Sequence, residues 1–101
     1  MYVINLTYVR PLAEIDAAMR AHVAFLREMY ARKVFLASGR KVPRTGGIIL
    51  AHGLPRAELE ALIATDPFVE RGLATAEIIE FNASQRCEPF ELVLAWAEGG
   101  T

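Results

Sequence analysis

Between Glu28 and Glu58 the chain has no acidic residue, while Arg32, Lys33, Arg40, Lys41, Arg44 and Arg56 all fall in that interval. A formal net charge of −1 therefore conceals a basic segment. The near-neutral total excludes a polyelectrolyte that binds nucleic acid through bulk charge. The basic interval also lacks the interleaved aromatics of an RNA- or DNA-binding motif. It reads either as a solvated edge or as a means of drawing a small anion toward a nearby cleft.

Other absences exclude more. The single cysteine, Cys87, rules out an intrachain disulfide and any metal site built on paired cysteines. It suits a reducing compartment. The two histidines, His22 and His52, show no ligand-like spacing, so no metal is expected. There is no phosphate loop and no dinucleotide fingerprint. Ser38 lacks the Gly-Xaa-Ser-Xaa-Gly elbow of a serine hydrolase. No apolar run approaches the ~20 residues that span a membrane. The opening "MYVINLTYVR" is too short and too polar for a secretory leader. These absences lead to the expectation of a cytoplasmic protein with no cofactor, no nucleic acid and no membrane among its partners.

What the chain does have is apolar surface. Its 101 residues fit one domain, and 53% of them are hydrophobic. A lone domain of this size buries only about 60–70% of its unfolded surface. The apolar excess thus points to a core and also to an interface between copies.

The periodicities give the elements. Residues 2–9 alternate Tyr2, Ile4, Leu6 and Tyr8 with Val3, Asn5, Thr7 and Val9, a strand with one apolar and one mixed face. Arg10-Pro11 ends it. From Leu12 to Arg32 the spacing of Ile15, Met19, Val23, Leu26 and Tyr30, widened by Phe25 and Met29, predicts a helix. Residues 33–42 read as a second strand that loses regularity at Ser38-Gly39, and residues 43–47 as a turn. "GIILAH" reads as a third strand. Residues 56–66 predict a second helix, ended at Asp66-Pro67, with Asp66 as cap of a short turn that closes near Gly72. Residues 75–82 are a fourth strand. The tail from Ala83 holds "PFELVLAWA", a short strand or helix too apolar to be left wet. The order β-α-β-β-α-β defines a ferredoxin-like α+β fold, with a four-stranded antiparallel sheet and both helices on one face. The mixed face of the first strand then needs cover, and a second copy is the economical partner.

Two words stand out against this frame. "AHVAF" puts His22 inside the apolar stripe of the first helix. "ATDPF" puts Asp66 just past the second. In a ferredoxin-like fold these helices run side by side, which permits an encounter without requiring it. A carboxylate on one ring nitrogen would fix the tautomer and leave the other to give or take a proton. Taken singly, His22 also reads as a satisfied core histidine, and Asp66 as a cap. Ser38 and nearby backbone N–H groups read as an oxyanion site or as a plain strand end. His52 reads as a water-exposed turn residue, and Cys87 as inert.

The segment "RAHVAFLREMYARKVFLASGRKVPRTGGIIL", followed by a helix and then "DPFVERGLATAEIIEFNA", resembles the YciI-like family over residues 1–83. The likeness rests on the histidine in the first helix, Ser-Gly after the second strand, glycines before the third, and Asp-Pro-Phe after the second helix. It implies a dimeric α/β barrel, related in fold to muconolactone isomerase. It also implies a buried His22–Asp66 pair at a cleft with Ser38 nearby. One relative in the family is a dehydrochlorinase of a chlorinated hydroxyquinol. Where the family often has Gly-Pro after the serine, this chain has Gly39-Arg40. The resemblance leaves residues 84–101 as a tail, expected to dock on the domain or on a dimer partner.

Three functional expectations follow. The first is a cofactor-independent lyase or isomerase, with catalytic His22, Asp66 and Ser38, and with Gly39, Arg40 and Arg44 binding a small oxygen-rich substrate. The second is a non-catalytic dimeric ligand-binding module. The third is an accessory interaction domain whose tail docks on a partner.

Overall fold

Tyr2, Ile4 and Leu6 are all buried, and Val3 and Asn5 between them are only partly so, which is the alternation of a strand covered on one face. The computed structural model describes residues 1–99. Its elements are β1 (Tyr2–Tyr8), α1 (Leu12–Ala31), β2 (Phe35–Arg40), β3 (Gly46–Ala51), α2 (Arg56–Ile63), α3 (Pro67–Glu70), β4 (Ala74–Glu80) and α4 (Phe90–Gly99). The sheet runs β2-β3-β1-β4, antiparallel throughout. This is the α+β, ferredoxin-like arrangement. Sheet residues Ile4, Leu6 and Ile49 pack with Phe25 and Met29 of α1 and with Leu59 and Ile63 of α2. Among the described residues no helix is long and apolar enough to cross a membrane.

The buried stripe of α1 is Ile15, Ala18, His22, Phe25 and Met29. It is rotated from the expected one, since Met19, Val23, Leu26 and Tyr30 are half-buried flanks. Ala18 accounts for the rotation. Its small side chain carries little weight in a hydropathy pattern, yet it packs with Phe68, Leu73 and Ala74 in a second cluster. His22 therefore lies between Ala18 of that cluster and Phe25 of the main core.

The second strand begins later than its composition suggests. Lys33 takes a left-handed φ of 61°, its N–H binds Tyr30 O, and the Val34 N–H binds Met29 O at 3.0 Å. That pair of bonds is a Schellman helix end, with lysine where glycine is usual. Its irregularity also lies earlier than Ser38-Gly39: the register slips between Phe35 and Ala37. The slip has a consequence for the site. Phe35 pairs with Ala51, and Ser38 pairs with Ile49. Both partners belong to the buried face. Without the bulge, residues three apart would point to opposite faces.

The second helix ends at Ile63, three residues short of expectation. Asp66 Oδ1 instead accepts the Phe68 N–H at 3.0 Å and caps α3, with Pro67 opening that turn. Gly72, at φ 70°, ends it. The tail forms a helix, but no residue of α4 is buried, and Leu92 is 74% exposed. It touches the body through Lys33, whose Nζ donates to Trp96 O at 3.1 Å and lies 5.0 Å from the Trp96 ring centroid. His52 is not the water-exposed residue expected, being half-buried with Nε2 3.8 Å from a Glu98 carboxylate oxygen.

Candidate functional site

Asp66 has no solvent exposure at all. A carboxylate taken out of water costs several kcal/mol unless hydrogen bonds offset it. Two donors converge on Oδ1: the Phe68 N–H at 3.0 Å and His22 Nδ1 at 2.8 Å. Oδ2 is buried without a partner. An ionised carboxylate only accepts, so it places the proton of a neutral imidazole on Nδ1 and leaves the Nε2 lone pair free. The ring is also held from its face. It stacks on Phe68 with centroids 4.0 Å apart and planes 7° from parallel. Edge and face together fix the imidazole, 44 residues from the acid that orients it.

His22 lines a cavity of about 220 Å³ between α1 and the inner face of the sheet. Val23 and Leu26 form its helical wall, and Leu6 and Phe68 contribute from β1 and α3. Gly47, paired with Leu6 on the same face, adds no side chain to fill it. Ser38, Gly39 and Arg40 line its β2 side. The structure thus brings together five of the six expected residues: four border the cavity, and Asp66 stands behind His22. Ser38 Oγ lies 2.5 Å from the Tyr30 hydroxyl. Arg40 has no carboxylate within ion-pair distance among the described residues.

Arg44 is the exception. It does not border the cavity; its Nη2 donates to Asp16 Oδ1 at 2.5 Å. The hydrogen bond to Asp16, with a smaller contribution from Tyr8, holds the guanidinium above its ordinary pKa. Three residues escaped the sequence reading. Phe68 stacks on the His22 imidazole, Tyr30 holds Ser38, and Tyr8 borders the cavity with its ring centroid 5.8 Å from that of Phe68. Tyr8 had left one signal, a hydroxylated ring that ends the inner row of β1 as Tyr2 begins it.

The fold and the His–Asp cavity define a ferredoxin-like α+β protein with an apolar pocket reached by one oriented imidazole. The YCII-related domain family matches residues 1–82, and the chain belongs to it. No curated protein sequence matches. Among solved structures the chain is similar to the 5-chloro-2-hydroxyhydroquinone dehydrochlorinase of Burkholderia phenoliruptrix in complex with 2,5-dihydroxybenzoquinone. The TM-score is 0.64 at 20% identity, covering 81% of this chain and 94% of that one. At that identity the likeness establishes the shared fold.

Proposed function

We propose that the cavity is the active site of a small cofactor-independent enzyme that moves a proton on a small, oxygen-rich ring substrate. Nε2 of His22 takes a proton from substrate carbon or oxygen. The electron pair left behind moves into the ring, and either a leaving group departs, as in a lyase, or the proton returns to another atom, as in an isomerase. Asp66 stabilises the imidazolium formed in that step. Ser38 and Arg40 bind the oxygen on which negative charge collects. The observation that carries the reading is the 2.8 Å contact between His22 and a fully buried Asp66, with His22 bordering the cavity. The dehydrochlorinase with which the fold is shared points to hydroxylated quinols, with or without chlorine, as the compounds to try.

The same reading includes a homodimer closed over the outer sheet face, a working domain at residues 1–83, and a tail at 84–101 that docks on the domain or its partner. The test is turnover. Wild-type protein incubated without oxygen with chlorinated and unchlorinated hydroxyquinols should release chloride or rearrange at least one of them. His22→Ala should be inert while keeping its circular dichroism and its dimer. A wild type that binds these compounds and returns them unchanged over hours is a binding module, and the enzymatic reading is then wrong.

A further inference from the structure

Tyr8 closes the inner row of β1, half-buried, and borders the cavity. It meets the edge or face of Phe68 at an interplanar angle of 88°, while His22 lies flat on the same ring. Phe68 is therefore a wall shared by the phenol and the imidazole. The Tyr8 N–H binds Thr45 O at 2.9 Å, which brings the neighbouring Arg44 alongside. Asp16 anchors that arginine at 2.5 Å, and Tyr8 adds a smaller share to what holds its guanidinium above its ordinary pKa.

A guanidinium only donates. To the Tyr8 oxygen it can only offer protons, which would leave the phenol O–H to donate elsewhere. The cavity is where such a donor finds an acceptor. Arg44 also carries a buried Nε–H without a partner among the described residues, a donor that an ordered water would satisfy. On the far side of the cavity stand Ser38 and Arg40 of β2. The strand order puts β3 between β2 and β1. Arg40 is matched through Gly47 to Leu6, and Ser38 through Ile49 to Ile4. Tyr8 therefore stands two strand spacings, roughly 10 Å, across the sheet from both, but two residues along it from Arg40 and four from Ser38. The long Arg40 side chain is the one that can meet the far end of a six-membered ring held at Tyr8.

We propose that Tyr8 is a substrate-touching residue, backed by Arg44 and Asp16, and that with Arg40 across the cavity it selects monocyclic compounds with oxygens at opposed ring positions. This rests on the reading of the cavity as a ligand site.

Calorimetric binding of two probes tests it: 2,5-dihydroxybenzoquinone, with oxygens at both ends of the ring, and benzoate, with oxygens at one. Tyr8→Phe keeps the ring and its packing, and Arg44→Gln removes the backing charge. Each should weaken the quinone by about tenfold or more and leave benzoate within about twofold. Equal quinone affinity in wild type and Tyr8→Phe would overturn the proposal. So would an equal loss for both probes, or a wild type that does not take the quinone. Loss of the quinone in His22→Asn with none in Tyr8→Phe would sink this proposal alone and spare the assignment of His22. Weakening in Tyr8→Phe beside full turnover in His22→Ala would support Tyr8 and sink the acid–base assignment.

Discussion

The imidazole of His22 lies flat on the ring of Phe68, and the backbone N–H of the same Phe68 binds Asp66. One residue therefore fixes both members of the pair, pressing the imidazole from its face and holding the carboxylate through its amide. The word Asp66-Pro67-Phe68 acts as a unit: the aspartate caps, the proline sets the turn, and the aromatic delivers a wall.

Replacing Phe68 separates its two contributions. Phe68→Ala keeps the amide and removes the stack, leaving a hole between α1, α3 and the start of β4. Urea denaturation should show a loss of about 3–5 kcal/mol, as for other buried aromatics cut to alanine. Phe68→Leu should lose less stability while still freeing the imidazole to rotate. If it does, its turnover will fall at least about tenfold in the folded fraction. Wild-type turnover in Phe68→Leu would show that the stack serves packing alone.

Asp66→Asn and Asp66→Ala should diverge. Asparagine retains an oxygen that accepts the Phe68 N–H, so the cap survives and the stability cost should stay near about 1 kcal/mol. The negative charge is gone, however, and an imidazolium at His22 is no longer paired. Turnover should fall by about 10²–10⁴. Alanine leaves the Nδ1–H and the amide unpaired in a dry site and should cost about 3–5 kcal/mol. Activity measured per folded molecule decides the matter. If both variants lose activity only in proportion to unfolding, the pair is structural.

Much of this was legible in the sequence because the governing patterns are local. Alternation in β1, the spacing in α1 and the Asp-Pro break each reflect neighbours a few residues apart. The order of short words then gave the family. What stayed hidden depends on distant partners. The rotation of the α1 stripe turns on Ala18 meeting Phe68, Leu73 and Ala74. The facing of Ser38 turns on a register slip that only the pairing with β3 reveals. The fate of Arg44 turns on Asp16, 28 positions away. Composition marked Arg40 and Arg44 as equals; the fold leaves the first at the cavity and ties the second behind Tyr8.

Two glycines near the site should respond in opposite ways. A Cβ at Gly46 would lie 1.8 Å from the Leu6 carbonyl oxygen, backbone that has no room to retreat inside the β1–β3 ladder. Gly46→Ala should yield little soluble protein. A Cβ at Gly39 meets nothing within 4 Å. Gly39→Ala should melt within a few degrees of wild type, with any effect confined to ligand affinity, since the residue borders the cavity. Thermal melts of the pair check both. Equal behaviour would mean that the strand spacing at Gly46 relaxes.

The outer sheet face argues for a second copy. Val3 pairs with Ile79 and Asn5 with Ile48, so all four share the face that no helix of the core covers. Ile79 is 47% exposed and Ile48 40%. Exposed apolar side chains are unremarkable singly, but neighbours across three strands make a patch of the kind that marks an interface. Burying such a patch against a copy of itself satisfies both chains at once. A lysine in place of Ile79, on the edge strand β4, would bring an unpaired charge into such an interface. Ile79→Lys should therefore sediment as an 11.2 kDa monomer at micromolar concentration where the wild type sediments at twice that mass. The helix-covered face is untouched by the change, so the variant should retain its secondary structure. A wild type that sediments as a monomer over the same range would remove the dimer from the proposal, while the His22–Asp66 contact, made within one chain, would stand.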